Sequence, residues 1–502
     1  MAAVQNFPFF VIMLYLTGGV VCSVLRARAA ARYCLALNAV SAGMMAMTLA
    51  WTLRSGTSYV YLMGHFPAPW GNELRVGPLE TLLALCFCGV MLLTLMGGME
   101  HIFEDCEPEK INLYFGAVSL LMSSIVAILF TNDLFTAYVF IEISSITSCA
   151  VIAVNYKNGA ALVATTRYRI MGLLGSGVFL IGIAMLYDLT GHLLLENLGA
   201  AVKAVNRDAS AVFPLTIIIG LFSVGMGVKS ALFPFHTWLP GAHGNATAAS
   251  SGMLSGLVLK ANVFLLIKLF CRVFGQELIT SHPAADMLLI FGACAMVFGS
   301  VSALMERDLK RLLAYSSVAQ IGYIYLGIGL GSEAGMEAAC VQILVHAFTK
   351  PMLFCAAGGF MSVSGGSKKM EAVRGAARRD PVSGAAFFVG ALSMIGIPLF
   401  AGFATKLNLA QAALEPGGWK TWLSLAAIVL STVLNALYYL RAVANLYAAP
   451  AHGAEENETP ERARYSWQFV ASMCAFIVLN LFMGLCSDSF MRTIHLGLEL
   501  FS

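Results

Sequence analysis

Apolar residues fall along this chain in blocks of roughly twenty, the length that spans a bilayer core, and that pattern leaves few folds open. Across 502 residues, 59% are hydrophobic and 11% are charged. A water-soluble chain carries about 25% charged residues and needs them to cover its surface. The expected fold class is therefore an all-α, polytopic membrane protein in the lipid bilayer, with about fourteen transmembrane helices. The blocks run 7–26, 33–53, 78–98, 111–130, 133–154, 168–187, 212–232, 249–271, 284–304, 312–331, 339–360, 384–412, 421–445 and 466–489. The formal net charge of +3 is too small to argue for nucleic acid as a partner. Twelve cysteines are scattered, mostly through apolar runs, and Cys86 and Cys88 fall on different faces of a helix. No disulfide framework, iron–sulfur site or structural zinc is expected, and no cofactor or metal. The first block lacks a basic leader and a small-residue cleavage site, so it reads as a retained span.

Two blocks contain or adjoin proline: Pro234 in LFPFHTWLP and Pro398 in GIPLFAGF. Proline breaks a helix, and a broken membrane helix is tolerated where it lines a polar cavity or is buried in protein. The breaks sit five spans apart, which suggests two five-helix repeats, the second inverted because five is odd. The expected divisions are 1–109, 110–272, 273–446 and 447–502, the last a cytoplasmic linker with the fourteenth span. Arg26, Arg28, Arg32, Lys157, Arg307, Lys310, Arg311, Lys368, Lys369, Arg374, Arg378 and Arg379 all follow odd-numbered spans. The positive-inside rule puts those loops in the cytoplasm and both termini outside. The stretch EENETPERAR after Gly453 reads as a solvated linker.

Charges inside the apolar runs carry the chemistry. Each costs roughly 2.5–3.5 kcal/mol at bilayer depth even on lenient scales, so it needs a partner, a hydrated cavity or a changed protonation state. Glu142 sits in a span among Ser144, Ser145, Thr147 and Ser148, and Lys229 directly precedes the first break. The two form a pair that is either a structural salt bridge or a switch. Lys260 is central in its span, whereas Lys268 and Arg272 lie near the same helix end and can snorkel to the interface. His243 precedes a helix rich in small polar residues and is the stronger proton carrier, while His236 caps or packs beside Trp238. His346 and Lys350 are four apart on one helix face. Lys406 follows the second break, the positional counterpart of Lys229. In order, Glu142, Lys229, Lys260, His346, Lys350 and Lys406 form a mostly basic file with an acidic start. Such a file suits proton hopping rather than an organic substrate.

KSALFPFHTWLPGAH (229–243), SGMLSGLVLKANVF (251–264), ERDLKRLLAYSSVAQIGY (306–323) and HAFTKPMLF (346–354) closely resemble the antiporter-like membrane subunits of the complex I superfamily. The resemblance covers about residues 110–445 and implies fourteen helices with two inverted five-helix repeats and broken helices 7 and 12. It implies relay roles for Glu142, Lys229, Lys260, His346, Lys350 and Lys406, and sets Arg167 where many members have lysine before tyrosine. It also implies partners: other membrane subunits of a hetero-oligomeric antiporter, respiratory or hydrogenase complex in a prokaryotic inner membrane. The chain departs from the family at Gly241, where LPDAH usually has aspartate beside the His243 position, and at Arg169, an added base beside Arg167. The absence of a long lateral helix after span 14 favours the shorter members, such as the antiporter D subunit or the smaller respiratory subunits.

With no Rossmann fingerprint or convincing cofactor ligands, any redox chemistry lies in another subunit. The expected function is proton translocation, with Na+/H+ exchange and redox-driven pumping in an NADH:quinone oxidoreductase or hydrogenase as alternatives. A stand-alone small-solute transporter and a non-transporting scaffold are the rival classes.

Overall fold

The computed structural model describes residues 3–68, 70–155, 159–207, 211–449, 463 and 465–501. Lys157 and the expected linker 455–464, apart from Ala463, lie outside the described residues. The chain is a bundle of long helices: α1 (Phe7–Val24), α2 (Ala27–Ser55), α3 (Pro78–Asp105), α4 (Ile111–Phe130), α5 (Leu134–Ile152), α6 (Gly159–Thr190), α7 (Leu195–Val205), α8 (Val212–Lys229) and α9 (Leu239–Asn245). It continues with α10 (Ala248–Phe274), α11 (Pro283–Met305), α12 (Leu309–Gly329), α13 (Glu333–Ser362), α14 (Pro381–Ile395), α15 (Ala401–Ala412), α16 (Gly418–Tyr447), α17 (Trp467–Leu485) and α18 (Ser487–Glu499). Thirteen helices among the described residues are long and apolar enough to cross a membrane. The expected twelfth span falls on two shorter helices, α14, which is apolar, and α15. The polytopic all-α class is borne out, and the chain is an integral membrane protein.

Both proline-bearing breaks are present, and each is a strained turn. Between α8 and α9, Ala231 adopts φ +59°; between α14 and α15, Gly396 and Leu399 adopt φ +91° and +85°. A non-glycine residue held there costs roughly 1–3 kcal/mol and persists where the surroundings over-determine it. The first turn is held by Ser230, whose hydroxyl donates to Met226 O at 2.7 Å and meets Tyr325 OH at 2.7 Å. The second is held from α17, where Asn480 Oδ1 accepts from the Ala401 amide at 3.4 Å.

Burial grades sharply. α10, α12 and α13 are almost wholly enclosed, whereas α1, α2, α6, α16 and α17 each keep an exposed apolar face. The three enclosed helices form the axis on which Lys260, His346 and Lys350 lie. One addition to the all-α expectation is a β-hairpin, β1 (Tyr59–Leu62) with β2 (Glu73–Val76) in antiparallel register. It closes one end of the bundle, where the Asn132 amide donates to Glu73 O and the Leu195 amide to Asn132 O.

Candidate functional site

The paired charges of the first half meet as expected. Lys229 is the last residue of α8 and is buried; its Nζ donates to Ser145 Oγ at 2.5 Å and to Glu142 Oε1 at 3.4 Å. Ser145 and Glu142 are three apart on α5 and so share a face. Arg169 Nη1 binds the other carboxylate oxygen, Oε2, at 3.5 Å. Arg167 stands differently from its expected role: it is exposed, while Arg169 reaches Glu142. The reason is helical phase. Two residues turn a helix by about 200°, so Arg167 and Arg169 face opposite ways, with buried Tyr168 between them edge-on to Trp238 at 5.0 Å.

Lys260 is fully enclosed in α10. Just before it, residues Leu254–Val258 form a π-helical turn. Such turns loosen the regular ladder, and the Ser255 carbonyl accepts from Lys260 Nζ. The facing helix α13 is relaxed at the same level by Pro351, which lacks an N–H to give to Ala347 O. Gly256 permits this contact: a Cβ there would lie 2.6 Å from Pro351 Cγ and 2.7 Å from Ala347 O.

Lys350 is equally enclosed, with Nζ donating to Leu313 O at 2.9 Å and Tyr439 OH at 3.3 Å. No carboxylate lies within ion-pair distance of Lys260 or Lys350 among the described residues. His346 and His243 are fully buried, and neither ring nitrogen of either has a hydrogen-bond partner among the described residues. His346 lies within electrostatic reach of Lys260, Lys350 and His243. Buried polar atoms without protein partners are where ordered water belongs. His243 stacks on Phe354 at 5.1 Å. Its neighbour Gly241 brings no carboxylate to it. His236 stacks on Phe233 at 5.5 Å rather than beside Trp238.

Lys406 reaches back across the second break to Ile395 O at 2.6 Å and also donates to Thr432 Oγ1 at 3.1 Å. Lys268 corrects the snorkelling expectation. It is fully buried and holds Leu129 O and Thr131 O at 2.8 and 2.9 Å, the buried carbonyl end of α4. Lys310, expected as a loop charge, is buried and donates to Ala246 O, while Lys368 donates to Gly244 O at 2.5 Å. Both bind the carbonyl end of α9, where the helix dipole favours a cation. A buried polar stripe on α16, Ser431, Asn435, Tyr438 and Tyr439, is not among the residues expected from the sequence. Its signal was the spacing i, i+4, i+7, i+8.

Residues 131–435, which hold Glu142, Lys229, Lys260, His346, Lys350 and Lys406, match the family described as NADH:quinone oxidoreductase/Mrp antiporter, TM. The chain belongs to this family. It is similar to NADH-quinone oxidoreductase subunit N of Desulforudis audaxviator (strain MP104C), 32% identical over 443 residues, covering 86% of this chain and 85% of the relative. The Na(+)/H(+) antiporter D subunit of Bacillus subtilis (strain 168) is 25% identical over 427 residues, 85% of this chain and 83% of the relative. The fold of this antiporter-like subunit matches a chain of the Mrp complex from Dietzia sp. DQ12-45-1b at TM-score 0.87 and 23% identity, covering 99% of this chain and 97% of that one. A chain of respiratory complex I from Thermus thermophilus matches at TM-score 0.75 and 24% identity, covering 97% of this chain and 100% of that one.

Proposed function

We propose that this chain is a proton-translocating module of a multisubunit membrane complex. The observation that carries the reading is that Lys260 and Lys350 lie fully buried with carbonyl and hydroxyl partners but no carboxylate among the described residues. A buried lysine used only for assembly is offset by negative charge nearby, because an uncompensated buried charge costs several kcal/mol. Lys268 is so offset by Glu80, and Lys310 by Asp105 and Asp308, whereas no carboxylate lies within such reach of Lys260 or Lys350 among the described residues. A lysine that alternates between ammonium and amine needs acceptors for one state and access to a proton for the other. The carbonyls and hydroxyl at hand, and the unengaged imidazoles of His346 and His243, fit that second demand.

The proposed order is Glu142, Lys229, Lys260, His346, Lys350 and Lys406, with His243 at the α9 end and Arg169 in the place expected of Arg167. The repeats 110–272 and 273–446 would each supply one broken helix. Glu142 holds both Lys229 and Arg169, so a change of charge at one cation alters its grip on the other. The lining favours protons over Na+. A bare cation needs several oxygen ligands, whereas this file presents lysine ammonium groups that repel it. Other membrane subunits are the proposed partners, since relatives carry subunit names of NADH-quinone oxidoreductase and Na(+)/H(+) antiporter. Both termini are proposed to lie on the outer side of a prokaryotic inner membrane.

The test is proton and sodium flux in sealed vesicles containing the intact complex, wild type against Lys229→Ala. Normal assembly with sharply reduced flux is expected, and dependence on Na+ or on an electron donor then identifies the driving process. Unchanged flux in the assembled variant would leave the chain a scaffold.

A further inference from the structure

Beyond the charged file, neutral polar side chains line the way between its last two members. From Lys350, Nζ donates to Tyr439 OH at 3.3 Å, that hydroxyl meets Ser316 Oγ at 2.8 Å, and Ser316 Oγ lies 2.9 Å from Tyr438 OH. Tyr438 OH gives its one proton to Asn435 Oδ1 at 2.8 Å. From the opposite side, Ser300 Oγ lies 3.1 Å from the same Oδ1, 3.1 Å from Ser431 Oγ and 2.7 Å from Met296 O. The next residue, Thr432, holds Lys406 Nζ. The Tyr323 hydroxyl, buried without a hydrogen-bond partner among the described residues, lies beside Ser431 and Thr432, and its ring centre is 5.3 Å from Lys406 Nζ.

Two runs of hydroxyls therefore end on one amide. A hydroxyl passes a proton because it both holds one and accepts one. An amide oxygen only accepts and an amide nitrogen only donates. An Oδ1 set between two hydroxyls takes a proton from either side and has none to give, so it cannot hand one across. Turning the amide over merely sets one NH2 between two acceptors, so the wire stops in both orientations. The amide is also poorly tethered, because Asn435 Nδ2 is buried with no hydrogen-bond partner among the described residues.

We propose that Asn435 is the gate on proton transfer between Lys350 and Lys406. This rests on the relay reading above. With the amide in place the two hydroxyl runs are insulated from each other. With it swung aside, a water joins Tyr438 to Ser300. A proton then leaves Lys350 Nζ for the Tyr439 oxygen. Each hydroxyl, and the water, releases its own proton to the next oxygen, the Tyr323 hydroxyl turning to take it from Ser431 and pass it to Thr432, and the last proton reaches Lys406 Nζ. One N–H bond breaks, one N–H bond forms, and every oxygen in between ends neutral.

The test uses the intact complex in sealed vesicles. Asn435→Asp puts a group that takes and releases a proton between the two runs. It should raise passive proton leak several-fold under an imposed pH gradient with no driving process, a readout that a packing role does not move. Asn435→Ser, which puts a hydroxyl there, should leak in the same way and serves if the buried carboxylate blocks assembly. Tyr438→Phe removes one oxygen and should lower driven flux about tenfold. Wild-type leak in the assembled Asn435 variant, or wild-type flux in assembled Tyr438→Phe, overturns the gate. Lys229→Ala in the same vesicles separates the two readings. Lost flux there with silent Asn435 and Tyr438 variants removes only the gate, whereas unchanged flux there removes the relay.

Discussion

Lys406 Nζ lies 2.6 Å from the carbonyl oxygen of Ile395, the last residue of the preceding half-helix. Lys229, in the other break, is itself the last residue of its half-helix. Each break thus places a lysine at a helix carbonyl end, but only Lys406 turns its ammonium onto a carbonyl there, which stabilises a cation without fixing it as firmly as a carboxylate would. Lys229 instead reaches across to Glu142. That arrangement separates a structural from a proton-carrying role.

Lys406→Gln keeps a donor for Ile395 O and Thr432 Oγ1 but cannot change protonation. It should assemble near the wild-type level and lose about tenfold or more of its driven proton flux in vesicles. Lys406→Ala also strands Ile395 O, at about 1–3 kcal/mol, and should lower the thermal midpoint as well. Equal flux in Lys406→Gln and wild type would make Lys406 a helix cap and nothing more.

Lys268 gives the opposite pattern. Its two bonds close the carbonyl end of α4. Lys268→Met removes both donors while filling similar volume, and should destabilise the fold by about 1–3 kcal/mol. Thermal unfolding in detergent measures that loss. Flux per assembled complex should stay at the wild-type level, and a large fall there would put Lys268 on the path.

How far the fold could be read in advance follows from what bilayer thickness dictates. The block 111–130 coincides with Ile111–Phe130 because length and apolarity alone define such a span. The breaks at Pro234 and Pro398 were legible through proline chemistry. Less visible were the hairpin at Tyr59–Leu62, the short helix Leu195–Val205 and the terminal helix Ser487–Glu499, none long and apolar enough to stand out as a span. At the site, the buried lysines were legible from cost. Their partners were not: choosing Arg169 over Arg167 needs the rotation of α6 against α5. Reading Lys268 as a cap needs the packing of α10 on α4. The hydroxyl stripe on α16 carries no charge and therefore escaped a search for costly charges.

The phase of α6 is itself testable. Arg169 binds Glu142, whereas Arg167 is exposed. Arg169→Leu should disturb the grip of Glu142 on Lys229 and lower driven flux several-fold, while Arg167→Leu should leave flux within about twofold of wild type. Vesicle flux for the two variants, normalised to assembled complex, decides. The reverse ranking would mean that Arg167, and not Arg169, serves Glu142.

Outside the spans, His495 ties α18 to the start of α13. Its Nδ1 lies 2.5 Å from Glu337 Oε1 and 3.8 Å from Glu333 Oε1, and its Nε2 lies 3.2 Å from Glu499 Oε1. The hydrogen bond to Glu337 raises its pKa above the ordinary 6.5; burial opposes this as the next largest effect, and the charges of Glu337, Glu499 and Glu333 add to the rise. A group whose folded pKa is raised favours the docked state most fully below the unfolded value, and that contribution is lost as pH climbs through the folded value. Half-exposed, the contact contributes only modestly. Amide hydrogen exchange over 487–499, corrected for the intrinsic effect of pH, should therefore quicken as pH rises from below 6.5 through the raised value. His495→Ala should show the faster exchange throughout. Equal protection of 487–499 on both sides of that window in the wild type would remove His495 as the latch.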